Sequence, residues 1–344
     1  MALTIRVADL GADRELLIDT LRRFLTPLSD AARFDWLYRA NPYGPAAVWI
    51  AVDEARGQTV GMASAFPRRA LRDGRDERCW VLGDFCIHTE YRTLGPALQL
   101  NRACLSGVDQ RGVAFCYDFP SDGMMAVYRR LGVQPFGETI RFARVLRWGQ
   151  KLRDRVRIPV FRTLAGISGD IVDLASARHP TPPPGTSLAL EEKDCDEAFD
   201  DLDRAHRGRF RLHLERSAAY LNWRYRANPL GRYEILAARR GGELQGYAVF
   251  THTGADALLT DLSARDSGTA RLLLDDLAAR LSARHAVTLS APVLSSHPLI
   301  PHLLGSGFRP RETSPVVLYH RPDPESVKPL TCGDWPLMHG DRDS

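Results

Sequence analysis

The sequence predicts an α+β fold in which one unit is built twice in tandem. The first observation is a nine-residue phrase: "WLYRANPYG" at 36–44 recurs as "WRYRANPLG" at 223–231. The second is that the elements around the two phrases follow the same order. The third is that equivalent positions keep this order while their separation shrinks, from 187 residues between Trp36 and Trp223 to 175 between Gly132 and Gly307. The sequence therefore indicates an internal duplication, although two copies are too few for a solenoid.

Each copy is expected to begin with a strand and two helices, the second of which ends in the repeated phrase. Asn-Pro ends this helix because the residue before a proline avoids the α region. A β-hairpin follows, indicated by alternating apolar residues between glycine and polar turns. Next come a strand with one aspartate, a helix, a short strand and a short helix that ends in glycine. The longer helices are expected at 13–25, 31–39, 95–111, 194–207, 217–226 and 267–284.

The chain divides into four segments by this pattern. Residues 1–148 form the first unit, 149–185 a helical segment and Pro-rich linker, 186–322 the second unit, and 323–344 a tail. The linker ends in "HPTPPPG", which is stiff and extended because of its prolines. The tail is irregular, and it either packs back onto a unit through Trp335 or stays loose.

Composition limits the classes of function. Hydrophobic residues make up 44% of the chain and charged residues 26%, which is typical of a soluble globular protein. The net charge of +4 is too small to indicate a dedicated nucleic-acid binder. No apolar run approaches the roughly 20 residues of a membrane helix. The six cysteines show no CxxC spacing, which argues against a zinc site or a disulfide scaffold. We expect reduced thiols in a cytoplasmic protein.

The stretch "DFCIHTEYRTLGPALQL" at 84–100 is the strongest candidate for a ligand-binding loop. A strand runs through a short turn, Arg92–Ala97, directly into a helix. Such a turn directs free backbone N–H groups toward one point, and the helix dipole adds partial positive charge there. These features suit a phosphate or a diphosphate. Glycine at position 95 would let the ligand approach the backbone closely.

With these residues the chain resembles the GNAT superfamily of acyl-CoA N-acyltransferases, and its duplication resembles the tandem members. The family's diphosphate signature is R/Q-x-x-G-x-G/A, which Arg92, Gly95 and Ala97 fill. A later family pattern, N-x-x-A-x-x-x-Y-x-x-x-G-F, is matched by Tyr128 and Gly132. It departs at three positions: Ser121, Met124 and Val133. The resemblance covers about residues 1–148 and, more weakly, 186–320.

The resemblance implies a fold of two GNAT-like domains, each a mixed, mostly antiparallel sheet flanked by helices. It also implies that acetyl-CoA or another acyl-CoA is the co-substrate. Ile87 would supply an oxyanion-binding N–H group where the fourth and fifth strands part. The residues expected to bind the co-substrate are Ile87, Arg92, Thr93, Leu94, Gly95, Ala97 and Leu98.

Three side chains are candidate catalytic groups. The resemblance implies that Tyr128 protonates the departing CoA thiolate, although an aromatic residue at this place can instead pack against the sheet. Asp84 and Glu90 can accept a proton from the amine. Asp84 can equally pair with a nearby arginine, since an aspartate among apolar residues requires a partner. Glu90 can instead orient the loop, and His88 is a further candidate base. On a regular strand, Asp84 would share a face with Leu82 and Cys86.

The second copy has lost part of this set. Leu303 stands at the place of Tyr128, and the match of Arg265, Gly268 and Ala270 follows the strand aspartate, Asp261, after a shorter turn. Binding of a diphosphate there is therefore doubtful. Since both copies keep the repeated phrase, it is either an architectural joint or, as the resemblance allows, a wall of the acceptor pocket.

The expected function is transfer of an acyl group, typically acetyl, from acyl-CoA to a primary amine. The acceptor would be a small molecule or a peptide, and neither nucleic acid nor a membrane is expected as a partner. Two alternatives remain: a non-catalytic tandem scaffold, or a related transferase whose donor is acyl carrier protein or aminoacyl-tRNA. The sequence leaves the acceptor, the acyl length and the oligomeric state open.

Overall fold

The computed structural model describes residues 3–155, 180–320 and 329–342. We call 3–155 the first half, 180–320 the second half and 329–342 the C-terminal segment. Most of the predicted linker, at 156–179, lies outside the described residues, as do 321–328 and the two chain ends. The division of the chain into four segments stays a prediction.

The first half contains six strands and five helices. Its strands are β1 Leu3–Val7, β2 Ala47–Asp53, β3 Gln58–Arg72, β4 Arg75–Ile87, β5 Phe115–Asp118 and β6 Pro135–Val145. Its helices are α1 Arg14–Phe24, α2 Ala31–Phe34, α3 Leu94–Gln110, α4 Asp122–Arg130 and α5 Trp148–Arg155. Helix α2 continues as a π-helical turn, Asp35–Arg39, which contains the start of the repeated phrase.

The second half repeats this order with one additional short strand. Its strands are β7 Thr186–Leu190, β8 Leu212–Leu214, β9 Glu234–Arg240, β10 Glu243–Thr253, β11 Asp256–Ala264, β12 Thr288–Leu294 and β13 Arg309–His320. Its helices are α6 Glu197–His206, α7 Ala218–Leu221, α8 Ser267–Ala283 and α9 Ile300–Gly305. A π-helical turn, Asn222–Arg226, again follows the second helix of the copy.

All thirteen strands form one sheet, in which the halves exchange their last strands. The order is β1-β2-β3-β4-β5-β13-β6-β12-β11-β10-β9-β7, with β8 paired to β3. Strand β13 pairs with β5 of the first half, and β6 pairs with β12 of the second half. Only the pairs β4–β5 and β11–β12 are parallel among the described strands. The predicted fold class, α+β with a mixed, mostly antiparallel sheet flanked by helices, is confirmed.

Two equivalent glycines permit the same close approach in both halves. A Cβ atom at Gly61 would lie 2.7 Å from the carbonyl oxygen of Cys86, and one at Gly246 would lie 2.7 Å from that of Ser263. Any side chain at these positions would push the two long strands of the hairpin apart. The requirement for glycine explains why the duplication keeps both residues in register.

Helices cover both faces of the sheet and define three apolar cores. Helices α1, α2, α6 and α7 bury one core that the two halves share. Helices α3 and α4 cover the opposite face of the first half. Helices α8 and α9 do the same for the second half. The sheet of the first half therefore has two faces, which we call the α1/α2 face and the α3/α4 face.

The repeated phrase joins the halves through its tryptophans. Trp36 and Trp223 stack with ring centroids 5.3 Å apart. The Nε1–H of Trp36 donates to the carbonyl oxygen of Trp223 at 2.7 Å, and the reciprocal bond measures 2.9 Å. Both rings are buried. These contacts support the interpretation of the phrase as an architectural joint.

The C-terminal segment packs between the halves, which decides between the two behaviours left open for the tail. Trp335 is buried against Tyr117, with ring centroids 5.0 Å apart. The buried carboxylate of Asp341 pairs with Arg216 at 2.9 Å and lies 3.5 Å from Arg68. This segment therefore links arginines that belong to different halves. Within the described residues, no helix combines the length and the apolar character needed to cross a membrane.

Candidate active site

A cleft opens in the first half where two parallel strands separate. Strands β4 and β5 pair only from Cys79 to Val81 on β4, opposite 115–117 on β5. Beyond Val81 the edge of β4 that faces β5 has no strand partner among the described strands. The opening forms a cleft of about 830 Å³. It reaches the end of α1 on one side of the sheet and the start of α3 on the other. We call it the first cleft.

A β-bulge shapes the wall of the first cleft. Asp84 and Phe85 of β4 stand opposite the single residue Ala63 of β3, and Asp84 has a positive φ of 48°. A bulge shifts the alternation of side chains by one residue. Leu82 and Cys86 therefore pack on opposite faces of the sheet. The expectation that Asp84 shares one face with both of them is wrong, because it assumed a regular strand.

Asp84 is held in a buried ion pair. Its carboxylate accepts two hydrogen bonds from the guanidinium of Arg33, at 2.7 and 2.8 Å, and one from the Tyr38 hydroxyl at 2.6 Å. The side chains of Asp84 and Arg33 are each only 3% exposed. The arginine partner that the sequence left as an alternative is therefore present.

The second half contains an equivalent cluster. Asp261 on β11 accepts hydrogen bonds from Arg216 at 3.0 and 3.1 Å and from the Tyr225 hydroxyl at 3.3 Å. Burial raises the pKa of Asp261, and Arg216 opposes that rise. Tyr38 and Tyr225 are the tyrosines of the two repeated phrases. In each half, the repeated phrase thus supplies the tyrosine that bonds to the strand aspartate. The arginine, Arg33 or Arg216, comes from outside the phrase.

The first turn of α3 lies beside the first cleft, which Leu94 lines and Gly95 does not, and it contains amides without an acceptor among the described residues. Thr93 stands at the N-cap with extended backbone, and its side chain makes no capping hydrogen bond. Among the described residues, the backbone N–H groups of Leu94 and Gly95 have no acceptor. A Cβ atom added to Gly95 would meet nothing within 4 Å, so the space beside it is open.

Ile87 points its backbone toward the same opening. The N–H of His88 donates to the carbonyl oxygen of Val60 at 2.8 Å, which makes these two residues a hydrogen-bonded pair. Its neighbour Ile87 then forms a non-hydrogen-bonded pair with Gly61. The N–H and C=O groups of Ile87 therefore point away from β3. The guanidinium Nε of Arg92 donates to the Ile87 carbonyl oxygen at 3.1 Å. The Ile87 N–H therefore faces the side on which β5 has separated.

The second half has a carboxylate at the equivalent helix start. Asp266 occupies the N-cap of α8, and its carboxylate accepts hydrogen bonds from the Thr269 N–H at 2.7 Å and from the Thr269 hydroxyl at 3.1 Å. This carboxylate occupies the amide of the third helical residue and places negative charge at the start of the helix, where a phosphate would be repelled. The neighbouring pocket measures about 240 Å³, and it includes His297, whose pKa burial lowers to about 3. Leu303, at the place of Tyr128, is fully buried in the core of this half.

Tyr128 lies at the wall of the first cleft with its hydroxyl bonded to Asp118. The phenol donates to the Asp118 carboxylate at 2.7 Å. The ring is fully buried, and this burial raises the pKa of the phenol well above its usual value, with a further contribution from Asp118. The second carboxylate oxygen of Asp118 accepts from the Phe119 N–H at 2.7 Å. Tyr128 therefore stays protonated, and its ring is fixed in place.

The other predicted site residues lie partly in the first cleft and partly outside it. Glu90 is not a lining residue of the first cleft; its carboxylate is 65% exposed and pairs with Arg56 at 3.1 Å. His88 accepts a hydrogen bond from the Glu90 N–H through Nδ1 and packs edge-on against Phe24. Leu98 packs against the α3/α4 core. The first cleft brings together Asp84, Ile87, Arg92, Thr93, Leu94, Ala97 and Tyr128.

Sequence reasoning missed several residues of the first cleft. Asp118 is the last residue of the short strand β5, and its place at a strand end was the available signal. Leu230 comes from the second half and Arg342 from the C-terminal segment. The Arg342 guanidinium stacks over the Phe119 ring at 5.0 Å. No local signal identifies these last two residues, because only the folded chain brings them to the first half.

Comparison of the sequence with known families gives no relative. No protein-family model matches the chain, and no curated protein matches it significantly. Solved structures give a different result. A protein from Enterococcus faecalis described as a probable N-acyltransferase superposes with a TM-score of 0.66 at 12% identity, over 93% of this chain and 73% of that chain.

The chain has the GNAT fold. A GCN5-related N-acetyltransferase from Anabaena variabilis matches with a TM-score of 0.63 at 12% identity, over 92% of this chain and 72% of that one. Saccharomyces cerevisiae N-myristoyltransferase with bound myristoyl-CoA matches with a TM-score of 0.57 at 13% identity, over 94% and 80%. The resemblance noted in the sequence is thus confirmed at the level of the GNAT fold across most of the chain.

Proposed function

We propose that the protein is an acyl-CoA-dependent N-acyltransferase whose reaction takes place in the first cleft. The observation that carries this proposal is the contrast between two equivalent helix starts. Thr93 leaves the N–H groups of Leu94 and Gly95 without an acceptor beside open strands, whereas Asp266 places a carboxylate, bonded to the Thr269 N–H, at the start of α8. The names of the similar structures, N-acyltransferases and an N-myristoyltransferase with its acyl-CoA, agree with this chemistry.

The diphosphate of CoA would bind at the start of α3. The N–H groups of Leu94 and Gly95 are the donors, and the helix dipole adds a favourable field at this end of a 17-residue helix. Gly95 leaves space for the phosphates, and the exposed Arg92 contributes a positive charge. The remaining predicted residues, Thr93, Ala97 and Leu98, form or support the turn.

The thioester would then lie at the separation of β4 and β5. A neutral primary amine attacks the carbonyl carbon, so that a C–N bond forms while the C–S bond breaks. The N–H of Ile87 faces this opening and would stabilise the negative charge that develops on the carbonyl oxygen. The products are an amide and free CoA thiol, and the proton lost by the amine balances the one gained by sulfur.

Asp118 and Tyr128 are placed to move this proton. The Tyr128 hydroxyl can rotate to donate to the departing sulfur. The Asp118 carboxylate can accept the amine proton and return it to Tyr128 along their 2.7 Å hydrogen bond. In this scheme the ion-paired Asp84 is structural, and Glu90 orients the loop from the surface. We propose acetyl as the acyl group and a small molecule or peptide as the acceptor.

Exchange of the two N-cap residues tests the binding site. Both caps have extended backbone, so that Thr93→Asp can place a carboxylate at the start of α3, as Asp266 does at the start of α8. We expect Thr93→Asp to lower the affinity for acetyl-CoA by about 100-fold through repulsion of the phosphates, while the helix stays capped. Asp266→Thr is the matched control and should leave affinity unchanged. Isothermal titration of the full chain measures both.

Three results would contradict the proposal in different ways. Equal acetyl-CoA affinity of Thr93→Asp and the unmodified protein would show that the diphosphate binds elsewhere. Acetyl-CoA binding without turnover of any primary amine would favour a scaffold. Absence of acetyl-CoA binding, together with binding of an acylated carrier protein or aminoacyl-tRNA, would favour a different donor.

A further inference from the structure

The first cleft passes through the sheet and has two different mouths. On the α3/α4 face lie the turn and the vacant amides of α3. On the α1/α2 face lie the end of α1, where Phe24 packs on the shared core, and the loop that follows this helix. A CoA diphosphate bound at α3 would therefore place the thioester near the gap between the strands. The opposite mouth stays open to solvent.

Three exposed leucines surround this second mouth. Leu25 is 40% exposed, Leu28 70% and Leu230 45%, and all three line the first cleft. Four other large apolar side chains of the described residues are comparably exposed, but none of these lines the cleft: Val7, Leu16, Trp148 and Leu304. Exposed apolar side chains grouped in one cleft are typical of a ligand-binding site.

Leu230 departs from the symmetry of the duplication. It occupies the variable eighth position of the repeated phrase, where the first copy has Tyr43. Tyr43 stacks on Tyr220 with ring centroids 5.7 Å apart and hydrogen-bonds Glu215. Leu230 instead stays exposed at the mouth of the first cleft. The second half thus places an apolar side chain at the reaction site of the first half.

We propose that the acceptor amine carries an apolar alkyl or aryl body, which Leu25, Leu28 and Leu230 bind. This inference rests on the proposed function, because it places the acyl donor on the α3 side. The reacting nitrogen would extend from the leucines toward Asp118 and Tyr128. Each methylene group removed from water contributes to binding, so that affinity increases with the apolar length of the acceptor.

The position of the leucines favours the acceptor over the acyl chain as their ligand. A short acyl group ends at the gap between β4 and β5 and does not reach residues that are 40–70% exposed. An acceptor enters from solvent through the same mouth and contacts them first. A long acyl chain that crosses the gap is the competing occupant, and the donor series below separates the two.

Direct binding tests the inference without turnover. Propylamine, hexylamine and 6-amino-1-hexanol are titrated into the full chain, with and without CoA, and followed by saturation-transfer NMR. We expect hexylamine to bind at least roughly tenfold tighter than propylamine, at two- to fourfold per methylene group. The hydroxyl-terminated amine should bind more weakly than hexylamine. Substitution of all three leucines, L25S/L28S/L230S, should remove the preference for hexylamine.

Leu304→Ser is the matched control, since Leu304 is 42% exposed on the second half and does not line the first cleft. It should leave the preference for hexylamine unchanged. A length preference that survives in L25S/L28S/L230S would overturn the inference, as would equal binding of the three amines. Neither result depends on whether acetyl-CoA binds or reacts.

Steady-state release of CoA thiol separates the two possible occupants. With acetyl-CoA as the fixed donor, KM for the amine should fall with chain length in the unmodified protein and not in L25S/L28S/L230S. If the leucine substitutions instead change only the preference between acetyl-CoA and octanoyl-CoA, the leucines bind the acyl chain and the inference is wrong. If hexylamine binds but no amine reacts, the proposed function fails while the binding surface stands.

Discussion

Asp84 and Asp261 occupy equivalent places on β4 and β11, and each is paired with a buried arginine and a tyrosine of the repeated phrase. Since the second half carries a carboxylate at the start of α8 and has Leu303 at the place of Tyr128, the shared cluster indicates a structural role. A buried carboxylate that balances a guanidinium is costly to remove alone, because the other charge is then left without a partner.

We therefore predict that Asp84→Asn lowers the free energy of unfolding by about 3–5 kcal/mol. Asparagine is the appropriate substitute because it tolerates the positive φ of this position better than most residues. The double variant R33M/D84N should recover much of the loss, since it removes both charges. Urea denaturation measures the stabilities.

Turnover of the double variant then separates the two roles of Asp84. A structural role predicts a kcat within about tenfold of the unmodified protein. A catalytic base predicts a loss of about 100-fold or more in a folded protein. The second result would restore Asp84 as the base.

For Tyr128, in contrast to Asp84, we expect a substitution to affect turnover. We predict that Tyr128→Phe lowers kcat by about 100-fold, because it removes a proton donor from the first cleft. The KM for acetyl-CoA should change little, since the diphosphate would bind at α3. Tyr117→Phe is the control: this tyrosine is equally buried, but its hydroxyl donates to the carbonyl oxygen of Asp341 at 2.9 Å. Stopped-flow measurement of CoA release reports the reaction step, and unchanged kcat in Tyr128→Phe would exclude the assigned role.

At the scale of elements, the bulge in β4 and the early end of its pairing with β5 create the first cleft. The same separation occurs between β11 and β12, which pair only at 256–258 opposite 288–290. Separated strands are therefore a property of the duplicated fold. In the proposed function, the capping residue of the following helix, Thr93 or Asp266, distinguishes the opening that accepts an anion from the one that does not.

At the same scale, the stacked Trp36 and Trp223 join the two halves. Their reciprocal hydrogen bonds lead to a prediction for the free energy of unfolding. Trp36→Phe removes one of the two reciprocal hydrogen bonds and leaves the carbonyl of Trp223 without its donor. We expect a loss of about 1–3 kcal/mol in the free energy of unfolding. Trp223→Phe should cost a similar amount, and the two substitutions together should be non-additive because the rings touch. Strictly additive losses in denaturation experiments would contradict a joint.

At the scale of the whole molecule, the exchange of β6 and β13 makes each half depend on the other. Strand β13 separates β5 from β6, so that β6 contacts only strands of the second half. The shared core and the C-terminal segment add further contacts between the halves. One folded body therefore contains both copies, with the candidate site on the first.

We predict that residues 1–148 do not fold as an independent domain when produced alone. In this fragment β6 lacks both of its neighbours, and the shared core is exposed to water. The complementary fragment, residues 149–344, should restore the fold when the two are produced together. Size-exclusion chromatography and amide hydrogen exchange measure this. A monomeric, cooperatively unfolding 1–148 fragment would contradict it.

The sequence by itself determined the duplication, the order of elements, the fold class and the loop from Arg92 to Ala97. These features depend on local patterns and chain order, which a single sequence displays. Only the tertiary structure decided the exchange of strands, the bulge at Asp84, the partner of Tyr128 and the entry of Leu230 into the first cleft. Each of these depends on contacts between residues distant in sequence, whose energies no local pattern records. The outcome is one body in which Leu230 of the second copy and Arg342 of the C-terminal segment line the first cleft.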